Sequence, residues 1–157
     1  MDAYTALKLI HILSAAVLFG TGIGTAFAMW MAHRSGDVTA IAVVARNVVR
    51  ADWLFTAPAV VVQPLTGALL VMELGLAWSE PWIETAAILY LFVGACWLPV
   101  VVLQIRMAAL AEAAARDGRP LPDAYHAAMR KWFWLGWPAF AGVLAIFWLM
   151  VAKPALW

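Results

Sequence analysis

Four apolar runs, at about residues 5–32, 51–73, 82–106 and 125–152, dominate this chain and restrict its folds more than any other feature. Each reaches or exceeds the roughly 20 residues that a helix needs to cross the hydrocarbon of a bilayer. Of the 157 residues, 66% are hydrophobic and 12% charged, against roughly 45–50% and 25% in soluble domains. The expected fold is all-α: a single integral membrane domain, built as a four-transmembrane-helix bundle with a kinked, proline-containing helix 2.

Helix 2 is the unusual one. Its run Ala51–Gly67 reads ADWLFTAPAVVVQPLTG, with Arg46 and Arg50 just ahead of it. Pro58 and Pro64 each remove a backbone donor and bend a helix. In hydrocarbon, the freed carbonyls must find partners on neighbouring helices or water. Asp52 and Gln63 add polar groups that lipid cannot satisfy, so both are expected to be buried, with the polar side of the helix turned inward.

The remaining segments follow in order. Asp2 precedes Lys8 without a basic leader, and the first apolar run is long, so it reads as a retained helix rather than a cleaved signal. Gly20-x-x-x-Gly24 sets two small residues on one face, for internal packing or for a homodimer. His33–Asp37 is a polar turn, and a mildly amphipathic segment from Val38 to Arg50 leads into helix 2. Pro81 suits the first turn of helix 3, which is expected to kink near Pro99 and to run on into water through Ala108–Ala115. Asp117–Pro122 stops it. Trp78, Trp82, Trp132, Trp134 and Trp157 flank the apolar runs as an interfacial aromatic belt would. Cys96 is alone and forms no internal disulfide.

With four crossings the two termini share one side. The connecting-loop side carries Arg34, Arg46, Arg50, Arg106, Arg116, Arg119, Arg130 and Lys131, and the terminal side only Lys8 and Lys153. That bias predicts a bacterial inner (cytoplasmic) membrane protein with both termini outside. The formal charge of +1, with no basic tract, excludes a nucleic-acid partner.

Among candidate functional residues His11 stands first. It lies about 9 Å into helix 1, one turn after Lys8, and an ionisable residue inside a span is a functional candidate. Imidazole ligates haem iron, and bundle cores hold such cofactors. The competing reading is a neutral histidine hydrogen-bonded to a neighbouring helix, with Lys8 reaching outward. At similar depth stand Met72, Glu73, Tyr90 and Met150, and methionine is a known second haem ligand. His33 and His126 lie by polar turns and read as solvated. Arg46, Arg50 and Arg106 converge near Asp52, either as a collar on anionic headgroups or as a fork for carboxylates. No GxSxG, catalytic carboxylate pair or phosphate-cradling loop occurs, so hydrolase and nucleotide readings lack support.

The blocks KLIHILSAAVLFGTGIGTAF from Lys8, ADWLFTAPAVVVQPLTG from Ala51, GACWLPVVVLQIRM from Gly94 and GWPAFAGVLAIFWLMVAKP from Gly136 resemble the bacterial domain-of-unknown-function 2269 membrane proteins. More distantly, the layout is similar to HemJ-type protoporphyrinogen oxidases, four-helix membrane proteins that bind haem b. Lys8-x-x-His11, the proline-bearing helix 2 and the exit Val151-Ala152-Lys153-Pro154 carry that likeness. It implies His11 as haem ligand, with Lys8 near a propionate. The lysine that those oxidases carry in helix 3 is replaced here by Cys96-Trp97-Leu98-Pro99, which counts against the same reaction. The competing function is a cofactor-free scaffold or small-solute permease-like module.

Overall fold

The computed structural model describes residues 2–157. Five helices account for most of it: α1 (Ala3–Ser35), α2 (Val38–Ala51), α3 (Ala57–Glu73), α4 (Pro81–Asp117) and α5 (Asp123–Ala152). Between α2 and α3 a single wide π-turn, Asp52–Thr56, keeps the chain helical, so Val38–Glu73 forms one 36-residue rod. The described residues contain no strand. Four helical stretches are long and apolar enough to cross a membrane.

Local chemistry sets the helix ends. Asp2 accepts a hydrogen bond from the Thr5 N–H and opens α1. Gly36, at φ 70°, closes it in the left-handed conformation. Asp37 then caps α2 by accepting from the N–H groups of Thr39 and Ala40. Gly118 ends α4 as Gly36 ends α1, and Pro120 and Pro122 precede the restart at Asp123. Of the prolines within helix 2, Pro58 falls in the first turn of α3 and Pro64 inside it. The departure from α geometry lies at the π-turn just before Pro58, where the Ala57 N–H reaches back five residues to the Asp52 carbonyl.

Packing is uneven along the bundle. At the loop end, α2 turns Ile41, Ala42, Ala45 and Val48 against α4, which answers with Met107, Ala108 and Ala111. Tyr125, Ala128, Met129 and Trp132 of α5 and Met29 and Ala32 of α1 complete this core. The alanine run expected to project into water is therefore a packing face: Ala108, Ala111 and Ala114 are buried, because methyl groups let neighbouring helices approach closely. Toward the termini, α1 pairs with α3 and α4 with α5, and Phe19 stacks on Phe140 and tilts against Phe147 to link α1 to α5. A Cβ on Gly142 would stand 2.6 Å from Val93 Cγ2, so α4 and α5 need glycine at that crossing. Gly20 and Gly24 are exposed, with nothing within 4 Å of an added Cβ, and Gly24 borders a groove shared with Val44, Asn47 and Val48 of α2.

Candidate functional site

Two polar residues one turn apart on α1, His11 and Ser14, face two from α3, Gln63 and Thr66, with Gly67 beside them. Spacings of three and four keep each set on one helix face. Gln63 Nε2 lies 3.1 Å from His11 Nε2, and His11 Nδ1 lies 2.9 Å from Thr66 Oγ1. The Ser14 hydroxyl donates to Gln63 Oε1.

The donors fix the proton positions. A side-chain amide nitrogen can only donate, so His11 Nε2 accepts from Gln63. The ring proton therefore sits on Nδ1 and is donated to Thr66. Thr66 in turn donates to the Val62 carbonyl at 2.8 Å. The result is a chain of satisfied bonds around a neutral imidazole, as a polar group inside a span requires. Gly67 permits the approach: a Cβ there would stand 3.2 Å from His11 Cε1.

Helix 2 carries two further polar features. In a regular α-helix the N–H of residue 64 would take the Val60 carbonyl, and Pro64 has none. Tyr90 of α4 replaces it, its hydroxyl donating to Val60 O at 2.6 Å. Below the His11 cluster, Asp52 is buried in the π-turn, and Thr56 Oγ1 donates to its Oδ1 at 3.0 Å. Asp52, Thr56, Gln63 and Thr66 are separated by four, seven and three residues, so they form one polar stripe about 21 Å long.

Residues 5–154 match the family model described as "Predicted integral membrane protein (DUF2269)". The chain belongs to the DUF2269 family. No curated protein and no solved structure matches it.

In this DUF2269 protein the other candidates stand apart from His11. Lys8 is exposed, its ammonium 5.4 Å above the Tyr4 ring. Met72 is 68% exposed and Met150 also faces outward. Tyr90 is committed to Val60. The arginines do not gather on Asp52. Arg46 pairs with Glu112 at 3.3 Å, and Arg50 and Arg106 are exposed. Asp52 points into the bundle while they point out, so no ion pair forms to it among the described residues.

His33 and His126 do meet, with ring centroids 5.9 Å apart and both beside Tyr125. They are half-buried rather than solvated, and His33 Nδ1 is buried without a partner. The sequence analysis does not reach Ser14, Thr56, Thr66 and Gln104 as polar partners. The available signal was hydroxyl or amide groups at helical spacing from His11, Asp52 and Gln63.

For haem, the site holds half of what an iron ligand needs. Nδ1–H bonded to Thr66 orients the ring as hydrogen bonds orient ligating histidines. The other half does not fit: the Gln63 amide covers Nε2, and Met72 and Met150 face outward. Among the described residues, no three His, Cys, Asp or Glu side chains gather around a metal position.

Proposed function

We propose that this DUF2269 protein is a cofactor-free, permease-like membrane module whose working part is the polar stripe of helix 2. The observation that carries this reading is the hydrogen-bonded set Ser14–Gln63–His11–Thr66, in line with Thr56 and Asp52. A span that only fills space has no use for a stripe of this kind, and polar groups within spans mark solute pathways. The ligand class is a small polar solute able to exchange hydrogen bonds with an amide and an imidazole. The eight-to-two split of basic residues supports a bacterial inner membrane with both termini outside. The uncovered Gly20–Gly24 face supports a homodimer.

Vesicle swelling tests the reading. Proteoliposomes challenged with glycerol or urea should swell faster than protein-free vesicles, and Gln63→Leu should abolish the difference. Equal rates for wild type and empty vesicles overturn it and leave a scaffold.

One observation favours a second reading, haem b bound through His11 in a redox or haem-related role: the Nδ1–H is already held by Thr66. It requires Gln63 to release Nε2. A Soret band in the purified protein, lost in His11→Ala, supports it. Protein that stays colourless after haem reconstitution refutes it.

A further inference from the structure

The loop-side end of the stripe contains a mismatch of donors and acceptors. Asp52 and Gln104 are each 6% exposed, and Gln104 of α4 lies against the Asp52 carboxylate. Thr56 satisfies Oδ1. Yet Asp52 Oδ2 and Gln104 Oε1 are both buried without a hydrogen-bond partner. The Gln104 amide nitrogen can donate to the carboxylate, but it brings no charge to balance an ionised one.

No charge compensates an ionised Asp52. From α1, no Asp, Glu, Lys or Arg occurs between Lys8 and Arg34, and His11 is already engaged by Gln63 and Thr66. α3 brings none before Glu73, and α4 none between Glu84 and Arg106. On α2, Arg50 is exposed and Arg46 is taken by Glu112. An unpaired carboxylate in such surroundings is heavily penalised, and neutralisation is the usual resolution.

We propose that Asp52 is a proton-binding site, its buried side chain held as a neutral carboxylic acid. One added proton removes the uncompensated charge and turns the unpartnered Oδ2 from an acceptor into a donor. Binding converts carboxylate to acid, and release returns the proton and leaves the anion facing Thr56 and Gln104. The π-turn aids this placement, since its extra residue per turn rotates the Asp52 side chain relative to α3. The site holds whether or not a solute moves along the stripe, because it concerns the state of the carboxylate itself.

Infrared spectroscopy of the full-length protein in nanodiscs at neutral pH decides it. A carboxylic-acid C=O band should be present, shift in D2O, and vanish in Asp52→Asn, which keeps the side-chain shape. Gln104→Leu should keep the band but move it, since the acid loses its polar neighbour. Absence of the band in the wild type overturns the proposal in favour of an anion bridged by water. A band that disappears on adding sodium chloride, but not choline chloride, overturns it in favour of a metal-cation site. Vesicle swelling reads solute passage separately, so failure of either idea is recognisable alone.

Discussion

At the loop end of the bundle, Met29, Ile41, Met107 and Tyr125 belong to one cluster and keep almost no exposed surface. At the terminal end, His11 and Gln63 stay half-buried and join α1 to α3 by hydrogen bonds. The first region is built as a soluble core would be, from an amphipathic helix (α2) against alanine-rich faces. The second consists of apolar helices with Leu9, Ile12, Leu13, Leu69 and Leu91 turned outward. Lipid is as apolar as leucine, so helix association there rests on packing and interhelical hydrogen bonds. The functional candidates lie where specific polar bonds, rather than bulk packing, hold the structure.

If that division is right, the largest loss of stability comes from the loop end. Met107→Ala removes a fully buried side chain, and large-to-small core changes cost about 2–5 kcal/mol. SDS-driven unfolding in mixed micelles should show it, with vesicle swelling unchanged per folded molecule. A loss below that of the polar substitutions would erase the distinction between the two ends.

Gln63→Leu comes next. It strands His11 Nε2, while the Ser14 hydroxyl keeps the His11 carbonyl at 3.0 Å, and leaving a buried group unpaired costs about 1–3 kcal/mol. The same unfolding titration reads it. A change indistinguishable from zero would mean that Gln63 faces lipid and that the His11 cluster does not hold α1 to α3.

Tyr90→Phe is expected to be smaller, about 1 kcal/mol, near the upper part of the measured range for interhelical hydrogen bonds in membranes. Its diagnostic is a coupling. Pro64→Ala restores an N–H able to take the Val60 carbonyl, so the tyrosine change should become nearly neutral in that background. Additive effects in the double-mutant cycle would show that Tyr90 does not compensate the proline.

These residues also show what could be read from the sequence. Run lengths, Gly36, Asp37, Pro81 and Gly118 mark the helices and their ends, because hydropathy and capping are local. Burial of Asp52 was legible as well, since a charge in an apolar run must turn inward. Partners were not, because they depend on rotation of one helix against another. Tyr90 meets Val60 across two helices, and Ala111 looks like a solvated helix former until α2 covers it. The π-turn shifts the register of everything before it relative to α3. No periodicity in DWLFT announces that, so the arginines were expected to converge on Asp52, which instead faces Gln104.

The smallest effect belongs to the glycines of α1, and it tests the surface rather than the interior. Gly67 and Gly20 both lie within apolar helices, but only Gly67 is required by a neighbour, the His11 ring. Gly67→Ala should therefore destabilise the protein, forcing the ring or α1 to shift by a few tenths of an ångström. Gly20→Ala with Gly24→Ala meets no atom within 4 Å in the monomer. It should leave monomer stability unchanged or raise it, by up to about 0.5–1 kcal/mol per site through reduced backbone entropy. A homodimer across this face gives the opposite sign in one measurement only. Förster transfer between labelled copies in bilayers should fall in the double variant while unfolding of dilute monomer does not. If transfer is absent in the wild type, or survives the double substitution, the exposed glycines are lipid-facing and make no contact between copies.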